Sequence, residues 1–223
     1  MTPVDFVRQV SILMSLPSVL LVGTAAALIV ILRDWRLVLL CYALMSAVVS
    51  LLLAQTIPTE WALLQAVVGG MVAVMLFMSA RQLRRLMRLP VGLKSDWPQL
   101  ASLTSFRLLA VAMAAGAFFI IRGDLPALPA VSRLLSDTIF WLALMGAMGL
   151  ALHEEPLHAG VALLVVLTGF LLLFFQLTHS RLMIGLIESW QLLLALAISY
   201  LTVSRGLAGV EPLSPTGFRW WGR

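Results

Sequence analysis

Charge, cysteine and histidine are scarce in this chain. Of its 223 residues only 11% are charged, and it contains one cysteine, three histidines and two tyrosines. The lone Cys41 excludes an internal disulfide framework and a zinc or iron–sulfur site built from the chain's own cysteines. The sequence also lacks a glycine-rich phosphate loop, a Ser/His/Asp set and a pair of intramembrane carboxylates. An independent enzyme therefore lacks the parts from which a site is assembled. No polar domain is present to carry a nucleic-acid recognition module, although the net charge is +5 and the pI near 10.6. The expectation is no nucleic-acid partner, no cofactor and no metal.

What is abundant is apolar side chain, 61% of the residues, with a mean hydropathy of +1.04. Soluble domains sit nearer half apolar and a quarter charged. A bilayer core of about 30 Å takes about 20 helical residues, and only structures that satisfy their own backbone hydrogen bonds can cross it. The expected fold is an all-α, polytopic membrane bundle. Clear spans cover 11–32, 37–54, 61–80, 158–178 and 182–203; two shorter stretches, 108–121 and 138–152, complete a count of seven, or six if one is re-entrant or interfacial. Pro126 and Pro129 favour a loop between the short stretches. Asp5 and Arg8 make a poor signal-peptide n-region, so the first stretch reads as a retained span.

The basic segment 81–98, RQLRRLMRLPVGLKSDWP, divides the chain. A three-helix membrane half is expected over 1–80, a basic cytoplasmic connection over 81–105, a three- or four-helix half over 106–204, and an interfacial tail over 205–223 that includes FRWWGR. With seven spans, most arginines fall on one side, which predicts an N-out, C-in protein of a bacterial cytoplasmic membrane. A faint repeat aligns Arg36-Leu37 with Arg181-Leu182 and Ala43 with Glu188, inverted for seven spans and parallel for six. Chance similarity between apolar helices accounts for it equally well.

Glu188 is an acid inside a long apolar span, about 9 Å along the helix from Leu182. An ionisable group at that depth costs a few kcal/mol and faces protein or water, so it is either a proton carrier or a carboxyl hydrogen-bonded to its neighbours. Gln191 shares its face at i+3. Gln65 and Gln176 read as interhelical hydrogen-bond partners or as members of the same proton path. In HEEPLH, His153 and His158 are five apart with Pro156 between them, which is not zinc-protease spacing. Pro156 instead predicts a helix start with Glu154 and Glu155 near its positive end, a surface turn that can pass protons at a channel mouth. Gly69, Gly70, the Ala112–Ala117 run, Gly146 and Gly149 offer small surfaces for close helix packing, features of assembly rather than chemistry.

Two segments resemble a known family. RDWRLVLLCYALMS at 33–46 is similar to the second helix of hydrogenase-4 component E, a relative of the NuoK subunit of complex I, and SRLMIGLIESWQLLLALA is similar to the glutamate-bearing helix of both. The resemblance implies a small non-catalytic subunit of a proton-pumping membrane complex, held between other membrane subunits, with Glu188 in place of the family's glutamate. The third span departs from the pattern, carrying Gln65 where those families have an acid or a lysine. Two other functions stay open: a purely structural or assembly subunit that anchors larger partners, and a small-solute transporter.

Overall fold

The computed structural model describes residues 3–54, 59–86, 104–124, 132–177 and 181–208. All of their regular structure is helical: α1 Pro3–Ile31, α2 Trp35–Leu53, α3 Thr59–Leu86, α4 Thr104–Ile121, α5 Arg133–Leu152, α6 Pro156–Leu177 and α7 Arg181–Ala208. The helix starts follow local chemistry. The Asp34 carboxylate accepts from the Arg36 backbone N–H at 3.2 Å, and the Ser132 hydroxyl accepts from Leu135 N at 3.4 Å, each satisfying a donor the first turn leaves open. Pro156 opens α6 where its missing N–H costs nothing, while the Glu155 carbonyl accepts from Ala159 N at 2.9 Å.

Two three-helix layers face each other. In one, α2 lies between α1 and α3; in the other, α6 lies between α5 and α7; α1 packs on α5, α2 on α6 and α3 on α7. Trp141 Nε1 donates to the Gly23 carbonyl at 3.0 Å and Val30 approaches Gly149, so α1 and α5 run in the same direction. Gln65 meets Glu188 and Ser79 meets Ser199, so α3 and α7 are parallel as well. The layers thus match α1–α3 with α5–α7 in one direction, which differs from the antiparallel α2–α7 relation of the sequence repeat.

Helices α2 to α7 are long and apolar enough to cross a membrane, and large apolar side chains such as Leu40, Leu63, Ile120 and Leu193 point outward, as lipid contact requires. The chain is an integral membrane protein built as a helical bundle. The two stretches that looked short are full-length spans, because α4 and α5 continue helically through polar ends at Thr104–Ser105 and Arg133–Asp137. The connection expected over 81–105 begins later, since α3 continues to Leu86, and the tail expected from 205 begins later, since α7 continues to Ala208. The rest of the basic segment, Pro126, Pro129 and FRWWGR lie outside the described residues.

The glycines expected to serve assembly are used inside the chain. A methyl at Gly69 would strike Ser46 of α2; one at Gly146 would lie 2.9 Å from both Ala162 O and Val166 N of α6; one at Gly149 would lie 2.7 Å from Ala162 Cβ. These close approaches hold α2 on α3 and α5 on α6, so they are not free faces for a partner. Gly70 and Gly116 border open space. Helix α4 is peripheral, with 6% of its apolar stretch buried against 56% in those of α2 and α6, and among the described residues it packs chiefly on α1 and α5.

Candidate functional site

The α2–α3–α7 junction gathers the polar groups of an otherwise apolar interior. Glu188 on α7 is 3% exposed and points at Gln65 on α3, which is fully buried. With its amide nitrogen toward the acid, Gln65 donates to both carboxylate oxygens, at 3.1 Å to Oε2. One helical turn along α7, Gln191 Nε2 donates to the Tyr42 hydroxyl of α2 at 2.6 Å, and both side chains are buried. The hydroxyl's own proton is not used in that bond, and Tyr42 lies within electrostatic reach of Glu188. No basic side chain among the described residues is paired with the acid.

Gln65 suits an acid that changes protonation state. Its N–H can donate to a carboxylate, and after rotation of the amide its carbonyl can accept from a carboxylic acid. The hydrogen bond therefore survives in either state without a helix movement. Gln65 and Gln191, named from the sequence as companions of Glu188, do converge there. Gln176 does not: it is half-buried at the last turn of α6 and makes no hydrogen bond to the described residues. Tyr42 was not among the candidates from sequence. As one of two tyrosines, and placed within an apolar helix, it carried a usable signal, since a buried phenol needs a hydrogen-bond partner.

No family model, curated protein or solved structure matches this chain. The site is thus described by its own geometry.

Farther along α3 and α7, the hydroxyls of Ser79 and Ser199 are hydrogen-bonded to each other. Between that pair and Glu188 the interface is closed by Val72, Leu76 and Ala195, all fully buried and apolar. Among the described residues no chain of hydrogen bonds links the two sites.

The α5–α6 turn lies at the opposite end of the bundle. Arg205 Nη1 donates to the Glu154 carbonyl at 3.0 Å, which puts the turn about 25 Å from Glu188 at 1.5 Å per residue of α7. His153 caps α5, its Nδ1 donating to Gly149 O at 2.9 Å, and its ring stacks on His158 with centroids 5.1 Å apart. His158 Nδ1 is 2.9 Å from Glu155 Oε2. Among the described residues no three His, Cys, Asp or Glu side chains converge as a metal site would need. Glu154 and Glu155 are exposed at the turn. His153 and His158 are buried beneath the turn, and the four residues form a cluster separate from the Glu188 junction.

Burial pushes the His153 imidazole down to about 4 despite its hydrogen bond to Gly149. The Glu155 carboxyl is held below its ordinary value, chiefly by its hydrogen bond to His158. The unfolded chain then binds more protons than the folded one between about pH 6.5 and 4 at His153. Stability in detergent is expected to fall as the pH drops through that window, by several degrees in melting temperature. His153→Leu should flatten the decline; an unchanged pH profile in that variant would remove His153 as its source.

One acid escaped the sequence reading. Asp137, placed in a loop by the expected start at 138, lies in the second turn of α5, is 8% exposed, and pairs with Arg122 Nε at 2.5 Å. Its partner precedes it by a whole loop, so spacing gave no sign of the pair.

Proposed function

We propose that the chain is a non-catalytic membrane subunit of a multi-subunit, proton-translocating respiratory or hydrogenase-type complex, in which Glu188 carries the proton. One observation carries this reading: a carboxyl buried at the junction of three helices, without a paired cation, against a glutamine able to bond it in both protonation states. The apolar plug of Val72, Leu76 and Ala195 supports the subunit role. It separates Glu188 from the arginine-rich end, so a proton reaches the acid sideways from a neighbouring membrane subunit rather than along this chain. Tyr42 and Gln191 hold the face of α7 that presents the acid.

Arg33, Arg36, Arg81, Arg107 and Arg205 share one end of the bundle, with Arg122 and Arg133 at the other. That bias supports an N-out, C-in orientation in a bacterial cytoplasmic membrane. The resemblance of the segments around Tyr42 and Glu188 to hydrogenase-4 component E and NuoK agrees with the same role. A second reading, a structural subunit, is favoured by the completeness of the Gln65–Glu188 and Gln191–Tyr42 bonds, which alone suffice to pin three helices together.

The deciding experiment is purification in mild detergent with identification of the co-purifying chains. Membrane subunits of a redox-driven complex are expected in stoichiometric amount. A stable, isolated monomer from native membranes overturns the subunit role.

A further inference from the structure

The loose seat of α4 leaves a groove between α1, α4 and α5, independent of the Glu188 junction and of the function proposed for it. Its cavity volume is about 340 Å³. From Val19 to Ala27 along α1 it extends about 12 Å. That is close to the hydrocarbon depth of one leaflet, half of a core about 30 Å thick.

The chemistry of the walls restricts the occupant. Thr24 Oγ1 donates to Leu20 O at 2.9 Å, Thr138 Oγ1 to Leu134 O at 2.8 Å, and Trp141 Nε1 to Gly23 O at 3.0 Å. Each polar group along the groove is therefore turned back onto a backbone carbonyl. A polar solute would lose its hydration and gain no partner there, whereas an apolar chain loses nothing. The remaining surface is apolar, with Phe118 set edge-on to the Trp141 ring at 5.2 Å.

Charge is confined to one end. Arg122 gives its Nε to Asp137 and is 41% exposed, so its terminal nitrogens stand at the mouth; Arg133 Nη2, beside it, donates to the carbonyls of Arg122 and Gly123 at 2.6 and 3.0 Å. The Asp137 carboxylate is used against Arg122, and Asp124 is exposed on the adjoining turn. An apolar slot of leaflet depth that ends at a guanidinium matches an acyl chain attached to an anionic head group, and in the lipid surrounding the bundle that group is a phosphate ester.

We infer that the α1–α4–α5 groove is a binding site for one membrane phospholipid, with an acyl chain along Val19–Ala27 and its phosphate at Arg122. The bound chain fills the gap that keeps α4 from closing on the bundle.

The test is native mass spectrometry of the delipidated protein offered phosphatidylglycerol or diacylglycerol of the same chains. Wild type is expected to retain one phosphatidylglycerol and to favour it at least tenfold over diacylglycerol. Ala115→Phe, which fills the groove, should lower retention at least tenfold; retention equal to wild type overturns the groove as the site. Arg122→Gln/Asp137→Asn removes the ion pair without leaving a buried charge and should abolish the preference for the phosphate; a preserved preference overturns the assignment of Arg122. Quenching by acyl-brominated phosphatidylglycerol needs no groove-filling variant. Trp141→Phe should lose a component of the quenching seen in wild type, and identical quenching in the two proteins overturns the proposal.

Discussion

Replacing Glu188 by Gln will lower proton translocation by the assembled complex at least tenfold while leaving the amount of assembled complex unchanged. The two effects separate because the substitution is selective. A glutamine at this position keeps the size of the side chain and its bond to Gln65, amide to amide, so the α3–α7 contact is retained. It removes only the capacity to take up and release a proton. Glu188→Leu is the contrasting variant, since it also leaves the buried Gln65 amide without a partner, at a cost of about 1–3 kcal/mol. Proton uptake by reconstituted vesicles, with subunit content measured on the same preparations, reads both quantities. Translocation within twofold of wild type in Glu188→Gln would end the carrier role and leave the structural reading, in which the carboxyl is one hydrogen-bond partner among several.

Gly146→Ala should be the most damaging single methyl addition in the bundle. The added carbon would meet Ala162 O and Val166 N, both at 2.9 Å. These are backbone atoms of α6, so relief requires the α5–α6 pair to separate rather than a side chain to rotate. Overpacking of this kind costs about 1–3 kcal/mol and at times more. At Gly160 the same methyl would meet Ile198 Cγ2, with Cγ1 at 2.8 Å and Cδ1 at 2.9 Å; these are side-chain rather than backbone atoms, but the χ1 of a β-branched residue in a helix is stiff, so relief there is partial. At Gly116 it enters open space, where higher helix propensity contributes up to about 1 kcal/mol in the stabilising direction. Thermal melts in detergent should therefore rank Gly146→Ala lowest, Gly160→Ala between it and wild type, and Gly116→Ala at or above wild type. Equal melting for Gly146→Ala and Gly116→Ala would contradict the close α5–α6 approach.

The positions of the helices were largely legible from hydropathy, because in lipid an apolar stretch has no alternative to satisfying its own backbone. Their ends were less so. Asp137 was assigned to a loop since charge looks like a boundary in a linear reading; in the bundle Arg122 neutralises it, and the helix extends through it. The partners of the glycines are hidden for a related reason. A small residue announces close approach, and Gly69, Gly146 and Gly149 do permit one, but the sequence does not say whether the approaching helix belongs to the same chain.

The candidate site divides in the same way. Scarcity of charge singled out Glu188, because few other groups remain to be considered and an ionisable side chain deep in a span requires an explanation. Gln191 followed from helical periodicity alone. In the sequence Gln65 is a polar residue without an address, Gln176 looks equivalent to it, and Tyr42 is not among the site candidates. Tertiary structure made the choice: parallel α3 and α7 place Gln65 opposite Glu188, α2 sets Tyr42 against Gln191, and Gln176 is left at the end of α6. Composition and periodicity thus determined that this is a helical membrane protein and that Glu188 is buried in it, since both follow from the solvent each residue can tolerate. Only the packed bundle decided what that acid touches, because its partners are separated along the chain by more than a hundred residues and are joined by nothing but the arrangement of the helices.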